Sequence, residues 1–190
     1  MFEKIEEFDV MLFLFLNSHH NPFFDSFFYF ITNRFALIPF YLILLFLVVK
    51  TFKTNTWKIL LAAALLILCS DQLSVLLKNT FERYRPCHNS EIQSLIHLVN
   101  NKCGGLYGFV SSHATNSMAI SVFLFLLLKN KYSKIGYLLF AYTLLVSYSR
   151  IYLGLHYPLD MMGGWVIGFI LGISFAFLIK SKINLLESNV

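Results

Sequence analysis

Three short stretches of this chain concentrate residue types that can bind and attack an anion. The first runs Lys78-Asn79-Thr80-Phe81-Glu82-Arg83-Tyr84-Arg85-Pro86, the second is Ser111-Ser112-His113, and the third runs from Ser149-Arg150 through His156 to Asp160. Lys78 and Arg85 are seven residues apart, a spacing that on a helix projects both from nearly one face, two turns apart, with Pro86 ending that helix. Ser111 or Ser112 stands where an N-cap is expected, just before an apolar run, and the free N–H groups of a helix start attract anions. Asp160 follows His156 by four residues. Its carboxylate can hydrogen-bond one ring nitrogen and leave the other free as base or nucleophile. Lys78, Arg85, Arg150, His113, His156 and Asp160 together would make a site that neutralises an anion and works on it.

The elements that must position these groups are membrane helices. The chain has 190 residues, 57% hydrophobic and 17% aromatic, with a mean hydropathy of +0.67. Only 13% are charged, about half the ~25% that a soluble domain carries, and the aromatic content excludes disorder. Apolar runs at Phe35–Val49, Ile59–Leu77, Ala114–Leu128, Ile135–Ser149 and Met161–Ile179 predict five spans, interrupted only by Asp71. The N-terminal segment, residues 1–34, is either a sixth crossing or an interfacial helix followed by a short re-entrant one. Its opening lacks the basic stretch of a cleaved signal peptide and is expected to be retained. The reading is an all-α polytopic bundle of about six helices forming one domain over residues 1–190.

Lysines set the orientation. Lys50, Lys53, Lys58, Lys129, Lys131, Lys134, Lys180 and Lys182 fall on one face if the spans alternate, and the positive-inside rule makes it cytoplasmic. The opposite face holds Arg34, Lys78, Arg83, Arg85, Lys102 and Arg150, together with the long connection of residues 78–112 and the one that carries His156. The net charge of +5 thus divides into an orientation signal and a local anion site, and no long basic stripe suggests nucleic acid.

Plainer readings compete with each residue. Charges near a membrane surface often only anchor helix ends, but three cations in register with two histidines are more than anchoring needs. Two histidines and Asp160 could ligate a metal, yet three fixed cations would repel a divalent ion. His19-His20 reads as an interfacial turn, and His88 and His97 as loop surface. Asp71, inside a span, reads as a supporting partner of the site rather than a catalytic group. Gly164, Gly168 and Gly172 form a close-packing face for a neighbouring helix or for a second copy.

Lys78-x6-Arg85-Pro86, Ser111-x-His113 and Ser149-Arg150-x5-His156-x3-Asp160 resemble the three motifs of the type 2 phosphatidic acid phosphatases, a family that includes the vanadium haloperoxidases. Val110 and Ser112 depart from it, standing where the usual second motif has proline and glycine. The resemblance implies a metal-free and cofactor-free phosphatase with its site at the outer membrane–water boundary. His156 would be the nucleophile, oriented by Asp160. His113 would be the general acid, and Lys78, Arg85, Ser111 and Arg150 would bind phosphate; Ser112 and Asp71, read from their positions in the chain, are expected as supporting neighbours. The implied partner is a lipid phosphate or pyrophosphate on the periplasmic face of a bacterial-type inner membrane: undecaprenyl pyrophosphate, phosphatidylglycerol phosphate or a lipid A phosphate. The alternatives are a lipid phosphotransferase using the same site and a small anion transporter. No repeat symmetry favours the transporter, and oligomeric state is left open.

Cysteines test the orientation independently. Cys69 lies in a span and reads as a small apolar filler. Cys87 and Cys103 both fall in the outer loop, where disulfides persist, and a bridge between them would draw the first two motifs together. Gly104 and Gly105 are expected to allow the sharp return. The alternative is a pair of free thiols on a mobile loop.

Overall fold

The computed structural model describes residues 2–33 and 35–187, so Arg34 lies outside the described residues. Its elements are α1 (Phe2–Ser18), α2 (Pro22–Ile31), α3 (Ile38–Phe52), α4 (Thr56–Phe81), α5 (Ser112–Leu128), α6 (Ile135–Tyr152) and α7 (Pro158–Glu187), with short 3-10 turns between some of them. Among the described residues, strand-like pairing is limited to one bridge, Tyr84 with Tyr107. The five expected apolar runs are α3 to α7. The N-terminal apolar stretch is two helices because Asn21 caps the second, its side-chain oxygen accepting from the Phe24 N–H at 3.0 Å, with Pro22 at the first helical position.

The apolar stretch from Ile38 to Phe81 is 44 residues long, well beyond the ~20 that one crossing needs. It breaks at Lys53, whose φ of 45° no helix accommodates, and at the 3-10 turn Lys53–Asn55. The Lys131 ammonium donates to the Lys50 carbonyl at 3.0 Å. The turn after α3 and the connection between α5 and α6, both lysine-rich, therefore lie at one end of the bundle, opposite the motif-bearing loops. Phe46, Leu68, Phe140, Phe169 and Phe177 project outward from the helices as an apolar exterior.

α5 is the hub, packed on α4, α6 and most extensively on α7. A Cβ at Gly168 would run into the Thr115 carbonyl oxygen, and one at Gly172 would lie 2.6 Å from that of Ala119. These glycines let the two backbones touch, so the small-residue face is used inside the bundle. Below the site, Leu66, Phe123, Leu128 and Leu139 fill the core. Near the site, Phe13 of α1 is fully buried and meets the Tyr157 ring edge-on at 5.3 Å.

Two expectations need correction. Arg85 is not on a helix. α4 ends at Phe81, Glu82 takes the left-handed conformation (φ 48°), and Arg85 is extended (φ −68°, ψ 157°). The residue before a proline avoids the α region, and the backbone finds other partners: Arg85 N–H donates to Leu106 at 3.1 Å and Gly108 N–H to Arg83 at 2.7 Å. Nor does Gly104 or Gly105 supply a left-handed turn, since Gly154 is the glycine with positive φ among the described residues. Gly104 contributes smallness instead, because a Cβ there would sit 3.0 Å from the Arg85 guanidinium carbon. The structure joins Cys87 to Cys103, with Cα atoms 6.0 Å apart.

Candidate active site

The end of the bundle opposite the lysine-rich turns brings the three motifs together. Gly154 turns the chain after α6, and His156 follows it, 2% exposed, just before Pro158 opens α7. Two hydrogen bonds determine its tautomer. Nη1 of Arg85 lies 2.8 Å from Nε2, and Oδ2 of Asp160 lies 3.1 Å from Nδ1. A guanidinium can only donate, so Nε2 must be the acceptor and Nδ1 carries the proton that it gives to Asp160. Burial first, then the charges of Arg85, Arg150 and Lys78, push the imidazole well below its usual pKa. His156 and Asp160 therefore meet as a neutral ring and a carboxylate, not as an ion pair. The Nε2 lone pair points toward the cations.

Asp160 is fully buried and well satisfied. Oδ2 also accepts from the Tyr157 N–H at 3.1 Å, Oδ1 accepts from Arg83 Nη1 at 3.0 Å, and its main-chain carbonyl accepts from Ser111 N–H at 3.1 Å. That last bond ties the second motif to the third. Ser111 is the N-cap of α5, its hydroxyl 3.5 Å from the Ala114 N–H, so the first N–H groups of the helix are the free donors. Ser112, at the glycine position of the family motif, accepts from the Lys78 ammonium at 2.6 Å. The replacement thus fixes one of the cations.

Arg150 makes no side-chain hydrogen bond or ion pair among the described residues, and its buried Nε has no partner. The same holds for Nε of Arg85, whose Nη1 also reaches the Leu155 carbonyl at 3.3 Å. Such buried donors without acceptors are expensive unless a ligand completes them. His113, in the first turn of α5, is exposed, makes no side-chain hydrogen bond among the described residues and lines a cavity beside the cluster. Asp71 lines that same cavity on α4 and touches none of the phosphate-binding candidates by hydrogen bond. The cations Arg85, Arg150 and Lys78 gathered near His156 suit an anion.

Two residues with a direct bearing on the site carried no assigned role in the sequence reading. Arg83 stacks on the Tyr157 ring at 4.3 Å and bridges Asp160 to Asp9 of α1, its Nη2 2.7 Å from Asp9 Oδ2. Asp9 is 2% exposed, and its other oxygen accepts from the Leu159 N–H at 2.9 Å. A lone carboxylate in the apolar run Phe8–Leu16 was the available signal. His97 is also more than loop surface: its Nε2 lies 2.9 Å from Asp25, and Asn17 of α1 holds its backbone.

Known proteins resemble this chain in sequence and in fold. The model of the PAP2 superfamily matches residues 55–183. A "Lipid A 4'-phosphatase" from Bacteroides thetaiotaomicron is 36% identical over the whole of this chain and 84% of its own length. The "Undecaprenyl-diphosphatase BcrC" of Bacillus subtilis is 33% identical over 83% of this chain and 76% of its own. Among solved structures, Aquifex aeolicus LpxE superposes with a TM-score of 0.66 at 28% identity, covering 87% of this chain and 93% of that one. A PAP2-type phosphatidylglycerolphosphate phosphatase from Bacillus subtilis shares the fold with a TM-score of 0.71 at 19% identity, covering 94% and 87%. With its three motifs gathered at one end of a membrane-type helical bundle, the chain belongs to the PAP2 superfamily and is a phosphate-ester hydrolase.

Proposed function

We propose that the protein removes phosphate from a lipid phosphate or pyrophosphate at the outer face of a bacterial-type inner membrane, through a phosphohistidine on His156. The observation that carries this is the Arg85–His156–Asp160 chain of hydrogen bonds, which makes Nε2 a neutral, cation-facing lone pair.

The substrate phosphate draws Arg85, Arg150, Lys78 and the α5 N-terminus onto its non-bridging oxygens, where charge must be held as the phosphoryl group transfers. Arg85 then exchanges its bond to Nε2 for one to phosphate and uncovers the lone pair. Nε2 attacks phosphorus as the ester P–O bond breaks, and His113, which holds a proton once the bound phosphate's negative charge offsets the cations around it, gives that proton to the departing oxygen. Asp160 accepts the Nδ1–H bond throughout and balances the charge that the ring acquires. Neutral His113 next takes a proton from water, whose oxygen attacks the phosphohistidine and releases inorganic phosphate. Three fixed cations supply the charge neutralisation, so no metal enters the scheme.

The relatives named for lipid A, undecaprenyl diphosphate and phosphatidylglycerophosphate support a lipid substrate, and the lysine-rich turns support the orientation. The test is phosphate release from these lipids by purified protein in detergent. His113→Ala should cost about 10²–10⁴-fold, and chelators should leave turnover intact. Abolition by chelator with recovery on zinc or manganese would contradict the scheme.

A further inference from the structure

Beside the catalytic cluster lies a half-open cavity of about 250 Å³ lined by residues of α2, α3, α4, α5 and α6. His113, Ser112 and Ser149 are among its lining residues, whereas His156, Asp160 and Arg85 are not. In-line transfer puts the leaving oxygen opposite the attacking nitrogen. The group on the His113 side of the phosphate is therefore the one that departs, and the cavity is where it sits.

The walls mix polar and apolar side chains, and Asp71 is exposed to this space. Asp71 lies seven residues before Lys78 on α4, two turns or about 10 Å further into the bundle. An ionisable group so placed is a functional candidate, and Asp71 has no hydrogen bond or ion pair among the described residues. Across from it, the Asn116 side-chain oxygen accepts from the Ser70 hydroxyl at 2.5 Å, which leaves the amide N–H groups as donors. The Tyr41 and Tyr142 hydroxyls, 2.9 Å apart, complete the wall. A carboxylate acceptor facing amide and phenol donors is a set that binds hydroxyls.

Resting on the phosphatase reading above, we propose that this cavity is the leaving-group subsite and that Asp71 selects for neutral, hydroxylated leaving groups, the sugar or polyol of a phosphomonoester lipid. Asp71 accepts hydrogen bonds from such hydroxyls. It repels a leaving group that is itself a phosphate, as in a prenyl diphosphate. Specificity then rests on a repulsive element as well as an attractive one.

The experiment measures kcat/KM of the purified full chain on a 4'-phosphorylated glucosamine lipid and on undecaprenyl diphosphate, for wild type, Asp71→Asn and Asp71→Glu. Like charges about 10 Å apart at an effective dielectric of about 20 give roughly a tenfold effect. Asp71→Asn should shift the preference by about that factor toward the diphosphate, and Asp71→Glu should keep the wild-type preference. An Asp71→Asn ratio within about twofold of wild type overturns the selectivity role while leaving the phosphatase reading intact. So does an equal shift in both variants. Wild-type protein that releases phosphate from none of the lipids overturns the phosphatase reading, and this one with it.

Discussion

Arg83 touches no expected phosphate position, yet its removal should cripple the chemical step. Its guanidinium lies 3.0 Å from Asp160 and 2.7 Å from Asp9, carboxylates that are 0% and 2% exposed, while its own side chain is 18% exposed. Arg83→Met would leave both carboxylates buried without their cation and free Asp160 Oδ1 to swing, loosening the Nδ1–H bond that fixes the His156 tautomer. A charge-assisted hydrogen bond contributes about 1.5–3 kcal/mol. At about 1.4 kcal/mol per decade, losing it from the transition state lowers kcat by roughly 10- to 100-fold. Because the guanidinium holds the nucleophile's partner rather than the substrate, KM should stay within about twofold. Asp9→Asn keeps one neutral acceptor and turns an amide NH2 toward the other donor, but it leaves the Arg83–Asp160 contact in place, so its loss should be smaller and in the same direction. Arg83→Lys retains the charge but not the fork and should fall between wild type and Arg83→Met. The assay is steady-state phosphate release over a range of lipid mole fractions in mixed micelles, with thermal unfolding run in parallel. Wild-type kcat in Arg83→Met, or an effect confined to KM, would refute the reasoning.

Two further outcomes follow from the same geometry. Burial and the cations depress the His156 pKa from 6.5, so below that pH the unfolded chain binds a proton that the folded one does not. The stability this group contributes is full above pH 6.5 and is lost as pH falls through the lower folded value. Wild type should lose thermal stability relative to His156→Gln between pH 6.5 and the acid side, and parallel curves would count against the neutral, buried imidazole. The Cys87–Cys103 bridge closes a separation of 16 residues, worth about 3 kcal/mol in the chain-entropy estimate. Unreduced protein should yield a peptide joining the two cysteines, and reduction should lower the unfolding temperature. Ready alkylation of both thiols without reductant would contradict it.

Local patterns in the sequence reached a long way here. Each of the five apolar runs became a helix, because a continuous run of that length has no other way to satisfy its backbone in an apolar surrounding. The Ser111 cap and Pro158 start were legible for similarly local reasons. What escaped depends on distant chain segments meeting. The Asp9–Arg83–Asp160 bridge joins residues 74 and 77 positions apart. The cavity wall draws Tyr41, Asp71, Asn116 and Tyr142 from four helices. The seven-residue spacing from Lys78 fits a helical face equally well, so local pattern alone predicts a helix at Arg85. Only the pairing of residues 83–85 with 106–108, invisible in a one-dimensional pattern, moves it into an extended segment.

The central claim is that phosphate passes through His156, and a trapping experiment tests it most directly. Purified protein is given a lipid bearing a radiolabelled phosphate, quenched in alkali during turnover, digested and mapped. The label should sit on the peptide containing His156, survive alkali and be lost in acid, as a phosphorus–nitrogen bond is. It should be absent from His156→Ala, which should also lack turnover. Full turnover with no label at His156, or more than half the wild-type activity in His156→Ala, would contradict the account.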